Sequence, residues 1–253
     1  MRFFLLAAIL CAGGWQQAAT AQMNSVPVAS EPQHHLIFQN EYARAYYVEV
    51  PAHQATLLHQ HDYPYMAVAL GPADIINAVQ GKPEAHLTLT DGQVIYSKGG
   101  FAHIARANTG LSFRNITVEF LYPQGEAHNR CTRVIPDKPA ADCPSYDPGL
   151  LKGPPPLASI KPLFETDEVR VLSGVLAGDG EWFDDKPGRP ARLLLVLDQS
   201  SLSVVAPGQP AKTMKTGQVL WLPAGATLKV RNLESLTTSA FVLIAFKDSV
   251  ERK

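Results

Sequence analysis

Residues 51–71 read PAHQATLLHQHDYPYMAVALG, with His59-Gln60-His61 at the centre. Side chains two apart on a β-strand project from one face, so a strand here presents both imidazoles to the same side. Such a pair can grip a metal ion. Residues 65–70 follow as apolar strand material, and Pro64 between the two segments marks a bend or an edge break.

Working outward, residues 44–50 read as a strand rich in Tyr and Val, and residues 85–90 alternate apolar and polar before an Asp91-Gly92 turn. Residues 94–97, 102–107 and 113–122 complete a set of short strands separated by turn residues. No stretch in this half carries a sustained 3.6-residue apolar period, so helix is a minor component and a β-sandwich or barrel is expected. Residues 22–35 are polar and irregular and read as a loose arm, with the first ordered segment beginning at Leu36.

The chain has 253 residues, 46% of them hydrophobic, and a net charge of −1. That is enough chain for one large or two small domains with real cores. Neutral balance without a basic run argues against nucleic acid or an anionic membrane surface as partner. Arg2, an apolar run over residues 3–12 and an Ala19-Thr20-Ala21 cleavage site read as a secretory signal peptide over residues 1–21. The run is too short for a membrane span. Secretion or a periplasmic location is expected.

Prolines crowd residues 123–162 and forbid long regular structure there, so residues 123–161 read as a linker. Cys131 and Cys143 lie in it. In an oxidising compartment the simplest reading is a disulfide, closing a loop that contributes on the order of 3 kcal/mol in the chain-entropy model. His128, also in this segment, reads as an exposed loop histidine.

The second half repeats the first. Residues 38–44, FQNEYAR, match residues 164–170, FETDEVR, and residues 92–96, GQVIY, match residues 217–221, GQVLW. Two matched blocks at nearly one offset indicate two copies of a supersecondary unit rather than a solenoid.

These motifs resemble those of a two-domain cupin, or bicupin. His59 and His61 match the paired histidines of the first cupin motif. Gly92, Gly100 and His103 match the second, with Lys98 in place of its proline and Asn108 one position late. Gly217, Pro223, Gly225 and Asn232 carry the second motif again, but Leu228 stands where its histidine belongs. The region of the missing H-x-H, around Asp184-Asp185-Lys186-Pro187, holds no histidine. The resemblance implies an all-β fold of two tandem antiparallel β-barrels of jelly-roll type, at residues 36–122 and 162–247, the second without metal ligands.

His59, His61 and His103 would supply three neutral nitrogen donors, which suit iron, copper, nickel, zinc and, less tightly, manganese; the resemblance implies iron first. Three protein ligands leave positions open for water, oxygen or a chelating substrate. The cupin glutamate falls at Tyr65 or Met66, so the ion would keep its full charge and favour an anionic substrate. This resembles the three-histidine cupin dioxygenases. Tyr65 is a candidate acid or hydrogen-bond donor. His53 reads as a rim histidine rather than a fourth ligand. Glu119 could replace the absent carboxylate if its face looks inward, or be solvated or paired with an arginine. Ala67, Ala69 and Ala105 share parity with the ligands and would leave room for a bound molecule. His86 reads as an exposed strand residue.

The leading expectation is a metal-dependent enzyme of dioxygenase type acting on a small molecule. A non-catalytic small-molecule or metal-binding protein, and a metal-dependent lyase or isomerase, are the alternatives. Monomer and homodimer are both open.

Overall fold

A computed structural model describes residues 24–135, 138–140, 157–185, 188–206, 208 and 210–247. The expected leader, Cys143 and residues 136–137 and 141–156 of the proline-rich segment lie outside these residues. Within them the fold is all-β, and the only helix is one 3-10 turn at Val28–Ser30.

The first half contains β1 (Val26–Pro27), β2 (His34–Gln39), β3 (Ala43–Val50), β4 (His59–His61) and β5 (Tyr65–Ala69). It continues with β6 (Ala73–Val79), β7 (Ala85–Leu89), β8 (Val94–Ser97), β9 (Phe101–Ala107) and β10 (Phe113–Phe120). The second half begins with β11 (His128–Asn129), β12 (Ala158–Glu165), β13 (Val169–Ala177), β14 (Glu181–Asp184) and β15 (Arg192–Val196). β16 (Ser201–Val205), β17 (Lys212–Lys215), β18 (Val219–Leu222), β19 (Leu228–Asn232) and β20 (Thr238–Phe246) follow.

The strands of the first half form two five-stranded sheets, in the orders β1-β4-β9-β6-β7 and β2-β3-β10-β5-β8. Those of the second form a six-stranded sheet, β11-β12-β13-β20-β15-β18, and a four-stranded sheet, β14-β19-β16-β17. These are open sheets, packed in layers, where closed barrels were expected. No ladder among the described residues joins the two sheets of either half, so each sheet keeps its edge strands.

The expected loose arm is structured. β1 runs parallel to β4, with Val26 opposite His59, and Val28 is buried in the core of the first half. β2 pairs with β3, placing His34 opposite Val48. The start of the proline-rich segment is also fixed. β11 pairs with β12, and buried Asn129 accepts the N–H groups of Val134 and Ile135 at 2.9 and 2.8 Å.

In the sheet β2-β3-β10-β5-β8 the central strands β10 and β5 are buried on both faces, and strand alternation divides their residues between two environments. Along β10, Ile116, Val118 and Phe120 pack in a core shared with the second half, while Phe113, Asn115 and Thr117 line a cavity inside the first half. Along β5, Met66 and Val68 join the shared core, and Tyr65, Ala67 and Ala69 face the cavity. The second half contributes Leu193, Leu195, Val242, Ile244 and Phe246 to that shared core. Trp221 stacks on Phe38 and Tyr42, with ring centroids 5.7 and 5.6 Å apart. Arg114 forms an ion pair with Asp198 across the halves at 3.1 Å.

Because one core serves both halves, they should unfold together. Urea denaturation of the full chain, followed by tryptophan fluorescence and circular dichroism, should give one coincident transition. Phe246→Ala should lower its free energy by about 3–5 kcal/mol, and two separated transitions would contradict the shared core.

Candidate metal centre

β4 is three residues long, with His59 and His61 both 1% exposed and Gln60 between them turned outward. β9 lies antiparallel beside it with His103 directly opposite His59, the closest cross-strand position two side chains can take. The ring centroids of His59 and His103 are 4.5 Å apart, those of His59 and His61 5.2 Å, and those of His61 and His103 5.4 Å. The rings of the three histidines expected from sequence thus pack together at one end of the cavity, but His103 is not in the group of donor atoms that lie within 4.8 Å of one another.

Sequence reading missed the fourth. His34 packs against His59 and His61 with centroids 4.7 and 5.9 Å away. Ligand atoms of His34, His59 and His61 all lie within 4.8 Å of one another. Its neighbour His35 is exposed, whereas the His34 side chain is 4% exposed.

Each of the four rings has its Nδ1 beside an acceptor in the surrounding walls. His59 Nδ1 meets the Leu57 carbonyl at 2.9 Å, and His61 Nδ1 meets Glu119 Oε1 at 3.1 Å. His103 Nδ1 meets Asn77 Oδ1 and His34 Nδ1 meets Glu31 Oε2, both at 2.6 Å. An Nδ1–H donated outward fixes the tautomer and leaves the Nε2 lone pair for the interior. The Nε2 atoms of His59 and His103 are buried and have no partner in the protein. Buried polar atoms are rarely left unpaired. Converging imidazole nitrogens with fixed outer hydrogen bonds fit a divalent transition metal.

Burial, reinforced by the neighbouring imidazoles, pulls His103 down to about 2. Burial likewise lowers His59 to about 4. It lowers His61 as well, against the opposing pull of Glu119. These rings are neutral near pH 7, the state in which a histidine binds a metal.

Glu119 faces inward and is fully buried. One oxygen meets His61 Nδ1, and the other lies 2.9 Å from Arg44 Nη2. The arginine pairing expected from sequence is present and solvation is not. The carboxylate stands behind His61 rather than beside the Nε2 atoms. His53 lies exposed in the turn after β3 with a left-handed φ of 59°, away from the cluster. His86 is exposed and paired with Asp74 at 2.6 Å.

Tyr65 lies face to face on His61, centroids 4.1 Å apart and planes 25° off parallel. Burial pushes its phenol up to about 12, against a hydrogen bond with Ser97, so it stays protonated and can donate. The cavity beyond the histidines holds about 90 Å³. Ala67, Ala69, Ala105, Ile75, Leu87 and Phe113 are among its walls, with Gln93, Asn115 and Thr117 as polar points. The small residues expected to leave room do line the space.

No protein family profile matches the sequence, and no curated protein matches it. Solved structures do resemble the fold. AerE from Microcystis aeruginosa, 8% identical, aligns over 86% of this chain and 98% of its own with a TM-score of 0.56. A cupin 2 conserved barrel domain protein from Leptotrichia buccalis, 10% identical, aligns over 85% and 88% with a TM-score of 0.51. Salicylate 1,2-dioxygenase from Pseudoaminobacter salicylatoxidans, crystallised with gentisate, is 11% identical and aligns over 84% and 70% with a TM-score of 0.54. At these identities the likeness concerns the fold alone.

The buried histidines also make stability depend on pH. Unfolded imidazoles protonate near 6.5, whereas His59 and His103 resist until about 4 and about 2. Between those limits the unfolded chain binds more protons, so stability present above pH 6.5 is lost as pH falls. The urea midpoint of the metal-free protein should drop from pH 7.5 to about pH 5, and His103→Gln should flatten that drop. An equally steep profile in the variant would count against a buried neutral His103.

Proposed function

We propose that the chain is a secreted or periplasmic metal-dependent enzyme of cupin type, acting on a small molecule by oxidative cleavage with molecular oxygen. The observation that carries this reading is the packing of the His59, His61 and His103 rings, each with its outer nitrogen beside an acceptor, at the end of a partly open and mainly apolar cavity. These three side chains would hold the metal, and the resemblance favours iron among the ions that imidazole suits. A bound divalent ion would supply Lewis acidity and, as iron, electron transfer to oxygen.

The protein's own residues do the rest. Asn77 and Glu119 orient His103 and His61. Ile75, Leu87 and Phe113 exclude water. Tyr65, protonated and stacked on His61, is placed to donate a hydrogen bond or a proton from Oη to an oxygen of the substrate.

The walls also bound the substrate. No lysine or arginine is among the cavity's lining residues, so a negative charge on the substrate would have to be met at the metal. The space is smaller than the roughly 150 Å³ that admits benzene. A short aliphatic compound with two neighbouring oxygens fits without movement. A ring the size of the gentisate bound by the salicylate dioxygenase would need the walls to part.

The second half is read as a duplicated copy without metal ligands. Its ladders run in parallel with those of the first. Asp184 lies opposite Leu228 as His59 lies opposite His103. Arg192 lies opposite Ala245 and Leu222 as Tyr65 lies opposite Glu119 and Ser97. Asp184 and Arg192 are buried and ion-paired with each other, and Leu228 closes the interior.

Elemental analysis of the untagged mature protein should find one iron per chain, with oxygen uptake on adding a short 1,2-dioxygenated or β-dicarbonyl compound. His61→Ala should abolish both. Tyr65→Phe should keep the metal and lower turnover about 100-fold. Zinc or manganese without oxygen uptake would move the reading to a lyase or isomerase. Metal retained in full by His61→Ala would overturn the site.

A further inference from the structure

We infer that His34 is a fourth ligand of this centre, delivered by the N-terminal arm, with Glu31 as its positioning residue. The inference rests on the metal reading above and adds a donor outside the H-x-H…H pattern.

The local geometry explains how the arm reaches the interior. In a regular strand His34 and Phe38 would share a face. The β2–β3 register shifts between Leu36 and Phe38, a bulge that inserts one residue and reverses parity. His34, opposite cavity-lining Val48, therefore faces the histidines, whereas Phe38 packs into the core shared with the second half. One bulge serves both environments.

Glu31 then locks the ring. Its side chain is buried, and Oε2 meets His34 Nδ1 at 2.6 Å and accepts the Gln33 N–H at 2.8 Å. Oε1 accepts the Leu57 N–H at 3.2 Å, and the Leu57 carbonyl is the group that holds His59 Nδ1. One carboxylate thus ties the arm to the backbone that orients a neighbouring ligand. With its Nδ1 proton donated to Glu31, His34 presents Nε2 to the cluster.

The distances suit coordination. Two nitrogens bound at about 2.1 Å to one ion lie no more than about 4.2 Å apart. The His34, His59 and His61 ligand atoms all lie within 4.8 Å of one another, so reaching the roughly 3.4 Å between neighbouring donors of a tetrahedral site takes a shift of at most about 0.7 Å per ring. His34 and His103 flank the same pair of rings. The position left by the missing cupin glutamate is thereby filled by a neutral donor with a carboxylate behind it.

Cobalt(II) titration of the chelator-stripped full chain tests this, with visible absorbance and equilibrium dialysis as readouts. His34→Ala should bind cobalt at least about 10-fold more weakly, with an altered visible spectrum. Glu31→Gln should weaken binding about 10-fold with a smaller spectral change. Circular dichroism and urea midpoints of the metal-free variants establish that they are folded; if His34→Ala is not, His34→Gln takes its place. Wild-type affinity and spectrum in a folded His34 variant, with binding lost in His61→Ala, would remove His34 from the ligand set and leave the centre standing. Wild-type binding in His61→Ala would instead overturn the centre, and this inference with it.

Discussion

Every imidazole of the centre hands its outer nitrogen to the wall of the sandwich, and the rest of the site depends on those four hydrogen bonds. The acceptors come from different elements: the Leu57 carbonyl before β4, Asn77 on β6, Glu119 on β10 and Glu31 on the arm. Without them the rings could rotate or change tautomer, and the buried Nε2 atoms would lose their common direction. Burial supplies the complementary constraint by keeping His59, His61 and His103 uncharged near pH 7. Four rings packed this closely could not all carry protons at low dielectric. Neutral, oriented and crowded nitrogens are what a cation site requires, and an apolar interior filled with hydrocarbon would not need them.

The sheet β2-β3-β10-β5-β8 gives the centre its rigidity. A sheet with one wet face could flex, but this one has a packed core on one side and the cavity on the other. Along β10 the residues that face the second half and those that face the cavity alternate without interruption from Phe113 to Phe120. A shift of one residue in that strand would place Glu119 in the apolar core and Phe120 in the site. The second half fixes the register of the sheet that carries the cavity, even though its own interior is closed by Leu228 and the Asp184–Arg192 pair.

The histidine cluster was largely legible because its parts are local and periodic. His59-Gln60-His61 declares its geometry by spacing, and His103 follows from a turn-bounded strand with glycines at the expected intervals. The three alanines facing the cavity follow from parity alone. What escaped reading broke parity. His34 lies before a bulge, in a segment whose polar composition reads as loose, and a one-residue insertion leaves no mark on composition. A Glu31-x-x-His34 spacing in so polar a stretch carries no signal by itself. Open sheets in place of closed barrels escaped for a related reason: closure depends on pairing between distant strand edges, which alternation within a strand does not encode.

The displaced carboxylate connects these observations. The glutamate of the cupin motif, bound directly, would neutralise part of a divalent charge, and the spacing that the resemblance implies puts Tyr65 or Met66 there. The two carboxylates nearest the histidines stand one ring further out, Glu119 behind His61 and Glu31 behind His34. They differ in what they can give. Glu119 is also paired with Arg44, so its charge is largely spent within the wall, whereas Glu31 otherwise meets only backbone N–H groups. The donor power of the set is therefore asymmetric, greatest on the side of the arm. A cation held by neutral rings retains most of its charge toward the cavity, where no lysine or arginine competes for an anionic oxygen. The open side of the proposed centre would thus be left to a substrate and to Tyr65, whose proton is held in place by the burial that raises its pKa.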